Sequence, residues 1–207
     1  MAQVSITTAP EPITVAPVWT SDRSPICEAS FSNRVLTDLR QQIGGTLSLR
    51  GINLKGADLR QVNLEGVDLS DADLSDTNLT GANLRNADLT RANLSHATLT
   101  NAYLDGVDLC HANLNHALCN GTSLVGGRLY QADLCRANLQ RAYLVKVYAV
   151  EAQFQDAILD ETDLRWANLS RTNFSGAYLR KLKLGFSIQR GANLQDVLSS
   201  EQRKTGM

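Results

Sequence analysis

Apolar residues follow an unbroken five-residue rhythm through most of the chain. From Leu49 to Leu194 one central position recurs in 30 consecutive units, and Leu or Phe fills it in 27 of them. Two residues before each centre, Ala stands in 17 units and Val or Thr in eight more. A period of five fits neither the 3.6-residue helix nor the two-residue alternation of a long strand. The pattern therefore predicts a repeated unit that is shorter than an ordinary element.

Within one unit the two apolar positions are separated by a single polar residue, as in Ala82, Asn83 and Leu84. This is the spacing of side chains on one face of a short extended segment. The other two residues of the unit are rich in Gly, Ser, Thr, Asn and Asp, which form tight turns readily. The sequence thus predicts short extended segments that alternate with corners.

Units such as Ala57-Asp58-Leu59-Arg60-Gln61 and Ala132-Asp133-Leu134-Cys135-Arg136 resemble the pentapeptide-repeat family, over about 70% of the chain. The resemblance implies an all-β solenoid, a right-handed quadrilateral parallel β-helix in which four units close one 20-residue coil. Residues 46–195 would then form about 7.5 coils, which at ~4.8 Å per coil make a column ~36 Å tall. Since one coil alone buries little apolar surface, stability must come from stacking.

Both ends of such a column need covering, because open β edges pair with other chains. Residues 32–45 predict an N-terminal capping helix, with Ser32 as its N-cap and Gly44-Gly45 at its end. Residues 196–207 predict a C-terminal cap or tail, and the i, i+3, i+4 spacing of Leu194, Val197 and Leu198 predicts a short helix there. Residues 1–31, which hold all four prolines, predict a disordered tail.

Sorting the chain by a 20-residue coil separates two polar outer faces from two partly apolar ones. The partly apolar faces and the corner between them hold a candidate interaction patch of Tyr103, Val125, Tyr130, Tyr143, Val145, Lys146, Tyr148, Val150, Trp166 and Phe186. Such a patch indicates a protein interface, with another protein or with a second copy of the chain. Aromatic residues that only cover their neighbours would leave the same pattern, so both interpretations stay open.

Charge is balanced overall, with a net charge of −1, but it is uneven along the chain. Residues 57–88 hold seven acids and two bases. Residues 164–195 hold no acid and form a candidate basic end with six bases, which are Arg165, Arg171, Arg180, Lys181, Lys183 and Arg190. The balance argues against direct nucleic-acid binding, and the absence of a long apolar run argues against membrane insertion. The spacing of the four cysteines predicts reduced thiols and a cytoplasmic protein.

No residue pattern indicates catalysis, a cofactor or a metal site. His96 and His116 fall in one corner column with His111 nearby, but no carboxylate or thiol completes a ligand set. Cys119 replaces a central Leu, where a small thiol packs inertly. The sequence therefore predicts a non-catalytic protein–protein interaction scaffold or regulatory adaptor.

An alternative function comes from the resemblance alone, since some family members mimic duplex DNA and bind DNA gyrase. Those members are strongly acidic. Residues 46–198 hold 15 bases and 16 acids, which disfavours this alternative.

Overall fold

A computed structural model describes residues 47–198 of the chain. Within this range there is no helix and no strand longer than one residue; each five-residue unit contributes a single residue to β pairing. All 27 bridges are parallel and join residues 20 apart, as in Ser48 with Asp68. The chain is therefore a column of stacked 20-residue coils, as the sequence predicts. The described chain completes seven coils and ends halfway through an eighth.

Each coil has four faces, one for each unit. We number them by their first bridge residue, so that face 1 begins at Ser48, face 2 at Asn53, face 3 at Asp58 and face 4 at Asn63. Every later residue keeps the face of the residue 20 positions before it. Adjacent coils are joined by backbone hydrogen bonds such as Leu49 N–H to the Asp68 carbonyl at 2.7 Å.

The corners are tight turns with one left-handed residue each. The N–H that follows a corner donates to the preceding central carbonyl, as Ile52 does to Leu49 at 3.1 Å. The second corner residue has a positive φ in every unit from Gly51 to Asp196, which is the conformation of a type II turn. Glycine adopts this conformation without strain, yet 21 of these corner residues are not glycine.

The interior is a continuous apolar ladder along the axis. Central leucines such as Leu89 have no exposed surface, and the small residues two positions earlier fill the space between them. Where Thr replaces Ala, its hydroxyl donates to a backbone carbonyl, as Thr122 does to Leu99 at 2.7 Å. Within residues 47–198 no buried side-chain polar atom lacks a hydrogen bond. The interior therefore tolerates Thr without an unsatisfied polar group.

Asp and Asn recur at the bridge position because their side chains brace the following corner. Asn53 Oδ1 accepts from the Lys55 N–H at 3.0 Å, and Asn113 repeats this with Asn115. The amides also form ladders between coils, as Asn83 Nδ2 does with Asn63 Oδ1 at 3.2 Å. A tyrosine or an aliphatic residue at this position gives up both interactions.

At the C-terminal end the predicted helix is wrong for the part that the structure describes. Asp196 adopts the left-handed corner conformation, and the Leu198 N–H donates to the Ala177 carbonyl at 2.9 Å. Val197 takes the small apolar position of one more unit, so the spacing that suggested a helix is a continuation of the five-residue period. Stacking on the preceding coil supplies hydrogen bonds that a short isolated helix would lack.

The predicted tail over residues 1–31 and the predicted capping helix over 32–45 lie outside the described residues, as does the segment after residue 198. In the coils themselves no helix exists that could cross a membrane.

Candidate interaction surface

The predicted patch residues fall on faces 4 and 1 and on the corner column between these faces. Six of its aromatic and apolar members are largely exposed, and they are Tyr103, Val125, Tyr143, Tyr148, Trp166 and Phe186. Lys146 is exposed as well, whereas Tyr130, Val145 and Val150 are half-buried. The geometry divides these residues into three groups: a slot on face 4, a stacked pair on the corner, and residues that pack against neighbours within the molecule.

On face 4 the bridge column reads Tyr103, Ser123 and Tyr143 over three successive coils. The small serine leaves an open depression of about 690 Å³, with Tyr103 and Tyr143 among its walls and Val125 beside Ser123. We call this the tyrosine slot. The two tyrosines are two coils apart, or ~9.6 Å at the usual strand spacing, so a side chain of a partner can enter between them.

The charged groups at the slot neutralise one another. The Asp105 carboxylate accepts from Arg85 Nε at 3.2 Å, from the Ser123 hydroxyl and from the Val125 N–H at 3.1 Å. The Arg85 guanidinium also lies 4.5 Å from the centroid of the Tyr103 ring, a cation–π contact. The slot is thus fixed by these contacts and has an aromatic, neutral character.

Directly after the slot, Tyr143 also borders a second depression of about 290 Å³, which we call the lysine depression. Its other lining residues are charged, and they are Arg141, Glu161, Asp163, Lys181 and Lys183. The acids lie deeper than the bases here: the Asp163 side chain is 5% exposed and that of Lys181 is 72% exposed.

Both acids of the lysine depression are held ionised by neighbouring bases. Hydrogen bonds from Arg165 Nε and Nη2, at 2.6 to 3.1 Å, lower the pKa of Asp163. The Arg141 guanidinium lowers the pKa of Glu161, with Lys181 as a further cation 3.9 Å away. Among the residues that the structure describes, Lys183 has no ion pair within 4.0 Å.

The corner between faces 4 and 1 carries two stacked aromatic rings. The centroids of Trp166 and Phe186 are 4.3 Å apart with 14° between the ring planes. Trp166 is 56% exposed and Phe186 is 77% exposed, so the stack covers little beyond itself. Both have the left-handed backbone of the corner, with φ of 64° and 61°. We call this pair the aromatic corner.

Tyr130 packs within the molecule. Its ring meets His111 edge-on, with the ring centroids 5.4 Å apart and 85° between the ring planes. Val150 lies in the same column as Tyr130, at the edge of face 1 that is farther from the aromatic corner. For Tyr130 the geometry matches local covering of a neighbour, and Val150 is half-buried.

Sequence reasoning missed four residues that bear on the surface. Ser123 is polar and small, and its importance appears only once Tyr103 and Tyr143 are placed on either side of it. Exposed apolar residues outside the predicted patch are Leu118, Ile188 and Leu194. A survey of bridge positions by face would have identified Leu118 and Ile188, because an aliphatic residue there cannot brace the corner.

The candidate basic end is largely engaged in ion pairs. Four of its six bases pair with acids from the same or the preceding coil, as Arg171 does with Glu151 at 3.1 Å. Lys183 and Arg190 are the two members without an ion pair within the described coils. The exposed positive charge at this end is therefore smaller than the sequence count implies.

The histidine and thiol chemistry considered from the sequence is not assembled. His96 and His116 stack with centroids 4.9 Å apart, and the coils contain no cluster of three or more metal-ligating side chains. Burial raises the pKa of the Cys119 thiol to about 12, and burial together with Asp133 does the same for Cys135. These thiols are poor nucleophiles at neutral pH.

Comparison with known proteins relates the whole column to one family. A family model for pentapeptide repeats, in eight copies, matches residues 48–86, 77–115, 112–147 and 150–184. These segments cover more than half of the chain. No curated protein matches it.

Solved structures with similar repeats include cyanobacterial proteins and an antibiotic-resistance protein. HetL of Nostoc sp. strain PCC 7120, a protein involved in heterocyst differentiation regulation, is 27% identical over 77% of this chain and 92% of its own, with a TM-score of 0.27. Rfr23 of Cyanothece 51142 is 24% identical over 76% and 98%, with a TM-score of 0.28. Full-length QnrB1, a plasmid-mediated fluoroquinolone resistance protein, is 20% identical over 76% and 93%, with a TM-score of 0.42.

Proposed function

Since the chain belongs to the pentapeptide-repeat family, we propose that it acts as a non-catalytic scaffold or regulatory adaptor that binds another protein. The contact surface is formed by face 4, face 1 and the aromatic corner between them. The observation that carries the proposal is the exposed stack of Trp166 on Phe186.

Stability of the chain alone does not account for this pair. A left-handed backbone costs ~1–2 kcal/mol at each of the two residues. Their stack returns ~0.5–1.5 kcal/mol beyond the area that the rings bury, and both rings stay more than half exposed. Glycine fills the same corner column at Gly66, Gly106 and Gly126 without that cost. Of the 30 left-handed corner positions, only Trp166 and Phe186 carry a large apolar side chain. A partner that covers both rings supplies the missing stabilisation.

The partner is another protein or a second copy of the chain, because both would bury an exposed apolar surface. DNA mimicry has less support. Ten different acids take part in the twelve ion pairs of the coils, so few carboxylates are left to imitate a row of phosphates.

The test is the double variant Trp166→Gly plus Phe186→Gly. Both substitutions place in the column a residue that already occurs there, so the column should stay folded. The tagged full chain and the variant are used to capture proteins from an extract of the source cells, and the captured proteins are quantified. We expect the variant to lose specific proteins that the unaltered chain retains. If the chain binds itself, light scattering should instead show a dimer that the variant dissociates.

The matched control is His96→Gly plus His116→Gly. These residues also form a stacked pair with left-handed backbones, but on the diagonally opposite corner; His96 is exposed and His116 is half-buried. The control should capture the same proteins as the unaltered chain. Equal capture by all three chains, together with an unchanged oligomeric state, would contradict the proposal.

A further inference from the structure

Face 4 presents outward positive charge although its charges nearly balance. Around the lysine depression the Asp163 and Glu161 side chains are 5% and 28% exposed, whereas Arg141 is 70% exposed. Arg165 and Lys181 project in the same way, with 53% and 72% of their side chains exposed. A ligand that approaches this part of the face therefore meets cations first.

Lys183 is the base that is most available to a ligand. It occupies the bridge position one coil after Asp163, and it is exposed. Its charge contributes to lowering the pKa of Asp163, after the larger contribution of Arg165, but the structure gives it no ion pair of its own. An incoming carboxylate could pair with Lys183 without breaking an existing contact.

The tyrosine slot differs from the lysine depression in chemistry but shares Tyr143 with it. The slot is aromatic and its one acid, Asp105, is already satisfied by three donors. It suits an apolar side chain. The two depressions are therefore adjacent parts of one surface, one for an apolar group and one for negative charge.

The distance between them fits an extended chain. From the level of Ser123 to the level between Asp163 and Lys183 is two to three coils, or ~10–14 Å at ~4.8 Å per coil. An extended segment covers this distance in three to four residues at ~3.3 Å per residue.

From this complementarity we propose that face 4 binds an extended acidic segment of a partner protein. One apolar side chain of the segment enters the tyrosine slot, and carboxylates three or four residues away pair with Lys183 and Lys181. This inference rests on the proposed function and adds the chemistry of the partner.

The test uses fluorescein-labelled twelve-residue peptides in a Gly/Ser background. Each peptide has one Leu, Phe or Tyr. Two Glu stand three and four residues from it, after it in one set of peptides and before it in the other. Binding to the full chain is measured by fluorescence anisotropy. We expect saturable binding that Lys183→Glu weakens about tenfold or more, that Tyr143→Ser weakens similarly, and that added salt weakens further.

The matched control is Arg190→Glu. It makes the same change in charge at an exposed base of the last coil, but on the corner between faces 1 and 2, so it should alter affinity less than about twofold. Peptides with Lys in place of Glu should not bind.

Three results would overturn the inference: no acidic peptide binds saturably, the Lys peptides bind as tightly, or the two charge reversals weaken binding equally. A twelve-nucleotide oligo(dT) that binds where the peptides do not would assign the lysines to nucleic acid instead. If the peptides fail while capture still depends on Trp166 and Phe186, the proposed function stands and only the acidic segment is wrong.

Discussion

At the scale of single residues, position within the unit decides what a side chain contributes. Leu89 and Leu118 are the same amino acid one position apart in the five-residue register: Leu89 is a central residue with no exposed surface, and Leu118 is a bridge residue that is 45% exposed. Burial in the stacked ladder is worth ~1.5–3 kcal/mol for a leucine side chain, and a cavity adds to its loss.

We therefore expect Leu89→Ala to lower the free energy of unfolding by about 2–5 kcal/mol, and Leu118→Ala to change it by less than about 0.5 kcal/mol. Urea unfolding followed by circular dichroism measures both. Equal losses would mean that the period does not define the interior.

Asp163 gives a prediction for acid stability. Its pKa in the folded chain is lowered by the hydrogen bonds from Arg165, so its contribution to stability is present above the unfolded value, near 3.8, and is lost as the pH falls through the lower folded value. We expect the melting temperature to fall between about pH 5 and pH 2, and to fall less in Asp163→Asn. Asp156→Asn, at a more exposed acid with a 3.7 Å ion pair, should keep the behaviour of the unaltered chain.

The sequence predicts residues of the interior better than those of the surface. Leu89 is identified as an interior residue by the five-residue period, because the central position is buried in every coil. Ser123 is not, since its role depends on which side chains lie one coil before and after it. Tyr130 belongs to the same predicted patch as Tyr143, yet its ring packs on His111.

At the scale of the coil, 20 residues are the unit that preserves both the interior and the order of the faces. Inserting a copy of residues 104–123 after Ser123 keeps every side chain in its column, but it places Tyr103 and Tyr143 three coils apart. We expect this chain to fold and to lose the acidic peptides, because the slot becomes ~4.8 Å longer.

A copy of residues 64–83 inserted after Asn83 is the control for this prediction. It lengthens the column by the same amount on the N-terminal side of Tyr103 and leaves the slot unchanged. Unaltered peptide binding in both chains would show that the two tyrosines do not act together. Failure of both chains to fold would contradict the view that coils are interchangeable units.

The five-residue period predicts the segments and corners of a coil but not the number of sides. The four-fold coil came from the family resemblance, and the 20-residue spacing of the bridges confirms it. The period also explains why the predicted C-terminal helix is wrong up to residue 198, where the described chain ends: Val197 takes its place in one more five-residue unit.

At the scale of the whole molecule, electrostatics depends on pairing more than on residue counts. The six bases after residue 163 predict a strongly positive end, but ion pairs engage four of them, three with acids of the preceding coil and Arg165 with Asp163 of its own coil. Pairing across 20 residues is invisible to a count along the chain. What the sequence did indicate correctly is that the outer wall is uneven and that its aromatic side chains concentrate on two neighbouring faces.

The corner residues have one further consequence for how such a protein can change. Because every second corner residue has the same backbone conformation, and both glycine and a tryptophan occupy it, these sites accept different side chains outside the interior. New side chains can be introduced at these sites, which are arranged as a grid: four corners around each coil, repeated in every coil along the column. Binding specificity could therefore evolve, or be engineered, one grid point at a time while the apolar ladder stays the same.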